Sequence, residues 1–271
     1  MADLTTVQGQ GAAVSIAGFN FRSKAWSGSL LTNPTNIAGN GDLGFDRNKN
    51  TISRLTYSTG GVCYDTSGIE IAGCGGSATL TGFTGFKISA WDYVANVLVT
   101  DTTGFSSNCF AECMPAWLST MVSFVGVGTV SGAPFDTTIL TAHNDQVASV
   151  VLQALTGMTI NIPTLSIASV NYSRPYNDKL IVSVTGMTYG PYTMTWATNA
   201  PFPTLALSTG VFDASKFIAT TALDDAYIGG AFRGFGCQSV ITSLHLHRSN
   251  LISDAMTYQL SGMSTGTVTY T

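Results

Sequence analysis

"ATLTGFTGFKISAW", Ala78 to Trp91, has a counterpart earlier in the chain, "VSIAGFNFRSKAW", Val14 to Trp26. Each begins with alternating apolar and polar residues suited to a strand and reaches Gly-Phe (Gly18-Phe19 and Gly82-Phe83). Each then carries a short basic segment and ends on Ala-Trp, at Trp26 and Trp91. A Gly/Asn/Thr-rich loop follows each copy and closes on a second Gly-Phe: "IAGNGDLGF", Ile37 to Phe45, and "VTDTTGF", Val99 to Phe105. Self-similarity of this kind marks a structural unit used twice.

The repeat also decides a motif. "GNGDLG", Gly39 to Gly44, spells G-x-G-x-x-G, the fingerprint of dinucleotide-binding turns. That chemistry needs a hydrophobic strand before the first glycine and a helix after the last, so that pyrophosphate meets helix N–H groups. Here "SLLTNPTNIA" precedes it, polar and broken by Pro34, and "FDRNKNTISR" follows without an apolar helical stripe. The second copy fills the same slot with "TDTTGF" and drops the glycine spacing, so the motif reads as a loop.

A second pair lies further on. "IASVNYSR", Ile167 to Arg174, matches "ITSLHLHR", Ile241 to Arg248, at the isoleucine, the serine and the arginine. Each copy then reaches an aspartate (Asp178, Asp254), a Gly-Met at Gly186 and Gly262, and a later glycine at Gly190 and Gly266. The halves therefore run in the order first, first, second, second. If each unit needs one of each, the simplest topology is nested: an outer module of residues 1–66 plus 200–271, with residues 67–199 inserted into it. Insertion at an exposed turn is well tolerated, and "TSGIEIAGCGG" and "WATNAPFP" are plausible crossing points. An interleaved pairing is the alternative.

Composition points to assembly. Charged residues are only 10% of the 271, against about 25% in ordinary globular chains, while 45% are apolar. So apolar a chain can offset its ordering entropy, yet it has few charges to keep an isolated surface soluble. The net charge of −4 and the lack of a Lys/Arg cluster argue against tight nucleic-acid binding. "MADLTTVQGQGAAV" lacks the basic and apolar regions of a signal peptide, and no apolar run approaches the roughly 18 residues of a membrane helix. An odd count of five cysteines suggests reduced thiols.

Short β-branched and aromatic runs such as "LIVSVTGM", "YTMTW" and "TYQLSGM", punctuated by glycine, predict an all-β protein of sandwich or barrel type with minor helix. Asn144 to Leu155 and Asp213 to Tyr227 fit either a helix or a strand.

With these segments in hand, the run "ISAWDYV", "TDTTGF", "MVSFVGVG", "SIASVNYSRPYNDKLIVSVTGM" resembles the major tail tube proteins of long-tailed bacteriophages. The likeness spans most of residues 77–196 and is fainter over Val14–Phe45 and Val240–Gly266. It implies two related sandwich or barrel modules, each flanked by a helix. It also implies self-association into trimeric, pseudo-hexameric rings stacked into a hollow tube. Expected partners are the tape measure protein and genomic DNA in the lumen and other tail proteins at the ends, with no membrane. The expected location is the virion tail, assembled in host cytoplasm. Gly18, Phe19, Trp26, Gly82, Phe83, Trp91, Arg174, Asp178, Gly186, Arg248, Asp254 and Gly262 stand as structural repeat positions. The nested order departs from the family's tandem duplication.

No catalytic, cofactor or metal set is expected. His245 and His247 alternate on a strand and so share a face, a spacing that suits a metal with thiolates from Cys109 and Cys113. Cys-x3-Cys is not a zinc spacing, and two partly exposed histidines are the simpler reading. His143 lacks a nucleophile elbow. Asp224-Asp225 read as solvated loop residues. Arg174 and Arg248 suit structural or inter-subunit ion pairs, and Trp26 and Trp91 suit equivalent cores. Two other classes are weighed: a distal tail or capsid-decorating subunit, and a carbohydrate-binding or carbohydrate-acting sandwich using Asp101 or Asp145.

Overall fold

The computed structural model describes residues 13–17, 21–36, 48–64, 69–72, 76–83, 85–104, 107, 110–129, 147–155, 158–195, 214–225, 233–251 and 254–270. Gly18, Phe19, Gly39 to Gly44, Cys109, His143 and Asp145 lie outside them.

Among the described residues, thirteen strands form one antiparallel sheet. In chain order they are β1 (Ala13–Ile16), β2 (Phe21–Asn36), β3 (Asn48–Cys63), β4 (Ser77–Leu80), β5 (Phe86–Asp101), β6 (Cys113–Gly128), β7 (Val147–Leu155), β8 (Met158–Ser173), β9 (Ile181–Thr188), β10 (Thr193–Thr195), β11 (Ile218–Asp225), β12 (Arg233–Ser249) and β13 (Thr257–Tyr270). The all-β expectation holds, and the sheet is not closed into a barrel. Asn144 to Leu155 resolves as strand over β7. Its buried residues Val150, Leu152 and Ala154 alternate at period two, the signature of a half-buried strand. Within Asp213 to Tyr227, the described residues 214–225 form a 3-10 turn, Ala214–Phe217, leading into β11. That turn is the only helix among the described residues, so the flanking helices implied by the resemblance are not found there.

Two sets of six strands share one order. β2, β3, β13, β12, β11 and β1 lie side by side, as do β5, β6, β9, β8, β7 and β4. Registers agree residue by residue. Trp26 faces Thr59 as Trp91 faces Phe124, and both strands bulge just before the tryptophan, between Ser23 and Ala25 and between Ile88 and Ala90. Ile167 faces Gly186 as Ile241 faces Gly262, and both strands bulge at the next residue. Tyr57 faces Gly262 as Val122 faces Gly186. A bulge bends the strand and adds twist, so matching bulges give matching curvature.

Curvature makes the sheet sandwich-like. β3 and β11 are not paired, yet the Tyr57 hydroxyl lies 3.1 Å from Thr221 Oγ1 on β11 and 2.8 Å from Ser239 Oγ on β12. In the second set Tyr93 and Tyr192 meet edge to face, with their hydroxyls 2.7 Å apart and Thr120 Oγ1 2.8 Å from Tyr192. Around these anchors pack Leu55, Phe124, Leu152, Ile162, Leu165 and Leu223, each fully buried and each contributing about 1.5–3 kcal/mol of burial.

Glycine has a defined reason at four repeat positions. A side chain at Gly186 would stand 2.6 Å from Leu165 Cδ2, and one at Gly262 would run into the Tyr57 phenol. Gly190 and Gly266 adopt φ of 80° and 76°, which only glycine takes without strain.

The two sets meet at one seam. Ser243 to Ser249 of β12 pair with Asn96 to Ala90 of β5, so the sheet runs unbroken from one set into the other.

Candidate functional site

The seam brings two histidines and an aspartate together. β-pairing sets His245 opposite Val94 and His247 opposite Asp92, and period-two alternation points both rings to the face that carries Asp92. Asp92 Oδ1 lies 2.8 Å from His245 Nε2 and 2.8 Å from His247 Nδ1. An ionised carboxylate only accepts, so each ring carries a proton on the nitrogen facing it. Ser123 Oγ donates to the second oxygen at 3.4 Å. The carboxylate thus clasps β12 to β5 and is braced from β6.

The trio borders an open groove of about 720 Å³ whose lining also includes Lys24, Trp26 and Tyr258. Among the described residues, no group of three or more His, Cys, Asp or Glu is arranged to hold a metal ion. The histidines spend the facing nitrogens on Asp92. Cys113 lies buried on β6, with its Sγ 3.6 Å from Ser264 O on the other side of the sheet pairing. The His–Cys metal set considered from sequence is therefore not assembled by Cys113.

Asp92 is the residue that sequence reasoning missed. It is separated from the histidines by most of the chain, and only the β5–β12 pairing brings them together. The alternation of His245 and His247 was the available signal, and it identified their shared face but not their acceptor.

The repeat residues occupy contrasting environments. Trp91 and Trp26 both pack against the hydrophobic core, but they differ in exposure: Trp91 is buried at 4%, whereas Trp26 is half-buried. The physical reason is position: Trp91 has β12 beside it, and Trp26 sits on the outermost strand. Arg248 is 2% exposed and donates from Nη2 to Ala72 O at 2.7 Å. Arg174 is exposed. Phe83 is buried against Phe86, with ring centroids 6.4 Å apart, and Gly82 takes φ 91° in the turn before it. Asp178 Oδ1 accepts from Lys179 N at 2.7 Å in an exposed turn, and half-buried Asp254 donates its N–H to Leu251 O. Asp224 and Asp225 end β11 opposite Gly234 and Arg233, in a strand rather than a loop.

Asp101 accepts from Thr103 N at 2.9 Å and Arg54 Nη2 at 3.1 Å. Thr103, through its hydroxyl and then its N–H, holds this carboxyl below its ordinary range, with Arg54 adding to the effect.

No protein-family model matches this sequence, and no curated protein matches it.

Proposed function

We propose that the chain is a self-assembling structural subunit of a virion, of the phage major tail tube class. Three copies would supply six modules to a ring, and stacked rings would form a conduit for DNA. The two strand sets are read as copies of one module, built from residues 1–66 plus 200–271 and from 67–199. The observation that carries this reading is that the two six-strand sets share order, bulges and registers within a sheet left open at its ends. A duplicated module in one chain lets a small number of copies mimic a higher symmetry, and heterologous contacts close into rings when the rotation fits. Low charge supports the same reading, because surface hidden by neighbours needs few solubilising groups. A mildly acidic lumen would let DNA pass without adhering, since like charges repel over about 10 Å at moderate salt.

Negative-stain electron microscopy of the purified protein tests the proposal. Rings or tubes with a central hole are the expected result, and a monodisperse monomer at high concentration overturns it. A particle that decorates preformed capsids or tail tips without stacking on itself would identify a different virion subunit.

A further inference from the structure

We infer that β2 of one chain pairs antiparallel with β8 of a second copy, in the register that β5 and β12 adopt within the chain. The inference rests on the reading of the chain as a self-assembling subunit and names the surface that does the joining. The argument begins with which edges are used. β5 is the counterpart of β2, and β12 is the counterpart of β8. The seam joins the outer edge of β5 to the C-terminal half of β12. In the other pairing of counterparts, β2 has β3 as its sole described strand partner, and β8 pairs β7 only as far as Ser166. The chain therefore contains one completed junction and, along the edge of β2 and along residues 167–173 of β8, the two halves of another.

Register follows by substitution of counterparts. Leu246 faces Tyr93, so Tyr172 is set against Gly28; Leu244 faces Ala95, so Val170 is set against Leu30; Arg248 faces Trp91, so Arg174 is set against Trp26. The side chains fit this assignment. In the completed junction Tyr93, Ala95, Leu244 and Leu246 are all buried. Their counterparts at the edges are apolar too, yet Leu30 is 48% and Tyr172 is 45% exposed. Leaving apolar residues along a strand edge invites pairing with another chain, and soluble proteins guard against it unless they use it. A Tyr172 ring laid across Gly28 covers the backbone where glycine leaves it bare. Arg174 over Trp26 places a cation on an aromatic face. No like charges oppose one another: Ser27 is set against Ser173, and Ser29 against Asn171.

The pairing joins different edges, so it propagates from copy to copy rather than closing as a two-fold dimer. Every module then sits in the same surroundings, with Trp26 and Arg174 covered as Trp91 and Arg248 already are.

Mixing two single variants, Ser27→Cys and Ser173→Cys, tests it under mild oxidation. Any disulfide between positions 27 and 173 in that mixture must link two copies. Directly opposed residues bring β-carbons close enough for the bond. Mass spectrometry should find that linkage about tenfold or more above the one from a mixture of Ser27→Cys with Ser169→Cys, displaced along the strand. Rings or tubes without the 27–173 linkage overturn this interface and leave the assembly reading intact. The linkage in material that forms no ring supports the interface and sinks the tube. Should either variant fail to fold, hydrogen exchange on the unaltered protein gives the answer. Amides of residues 26–31 and 169–173 gain protection as concentration drives assembly, and unchanged exchange in assembled material overturns the proposal.

Discussion

Trp91 and Arg248 stand directly opposite each other across the β5–β12 seam, both buried. The guanidinium reaches Ala72 O at 2.7 Å, and Gly76 leaves it room, since a side chain there would collide with it. Arg248→Met keeps the apolar stem and removes the donor, which leaves a carbonyl without its charged partner. The expected cost is about 2 kcal/mol in urea unfolding. Gly76→Ala crowds the same group and costs about 1–3 kcal/mol. Arg174→Met, at the exposed counterpart, stays within about 0.5 kcal/mol in dispersed protein. It weakens association at higher concentration, measured by sedimentation.

Glycine substitutions should fall into three grades. Gly186→Ala meets Leu165 Cδ2 at 2.6 Å and Ser166 O at 2.8 Å, and Gly262→Ala meets the Tyr57 phenol. Overpacking at either site costs about 1–3 kcal/mol. Gly190→Ala and Gly266→Ala meet open space but at φ of 80° and 76°, a backbone strain of about 1 kcal/mol. Gly104→Ala has neither obstacle and is expected to be neutral within about 0.5 kcal/mol. Chemical denaturation of the five variants gives the ranking.

Alkali should destabilise the fold. Burial pushes the Cys63 thiol up to about 12, with the Arg248 charge offsetting only part of it, and pushes Cys237 up to about 11. Burial likewise lifts the Tyr258 phenol to about 12. A folded value raised above the unfolded one gives stability that is whole below the ordinary thiol range and lost as pH rises through the folded value. Denaturant midpoints should therefore hold to about pH 9 and fall toward pH 11 and above. Cys63→Ala removes its share of that slope. At pH 8 the Cys63 and Cys237 thiols should resist iodoacetamide until denaturant is added, as peptide mapping reads directly.

The parts of the fold legible in sequence are those where backbone geometry demands a residue type. Ala-Trp recurs just after a bulge, and Ile-x-Ser and Gly-Met recur where a bulged strand faces a glycine with no room for a side chain. Asn144 to Leu155 gave no such cue. A nearly continuous apolar run satisfies helical and strand periods alike, and only pairing of β7 with β4 and β8 decides it. The seam was illegible for a related reason. Pairing β5 with β12 is a long-range choice, so Asp92 carries no local mark of the histidines it serves. The unequal burial of Trp26 and Trp91 has the same origin: alike in sequence, they differ in that β12 lies beside the strand of Trp91, whereas β3 is the sole described strand partner of the strand of Trp26.

Asp92 offers the most direct probe of the seam. Its Oδ1 accepts from both His245 and His247 at 2.8 Å, and the three side chains are only partly buried. Asp92→Ala deletes the shared acceptor while the rings can still turn to water, so the loss is about 1–2 kcal/mol rather than that of a buried ion. Asp92→Asn restores a carbonyl acceptor but no charge and recovers part of the stability. If the clasp holds β12 to β5, the loss is local. Amides of Leu244 to Arg248 and Trp91 to Ala95 should exchange faster in Asp92→Ala, while Val182 and Val184, on the pairing of β9 with β6, stay protected. Equal acceleration across both strand sets would mean that the carboxylate supports the whole sheet and not the seam.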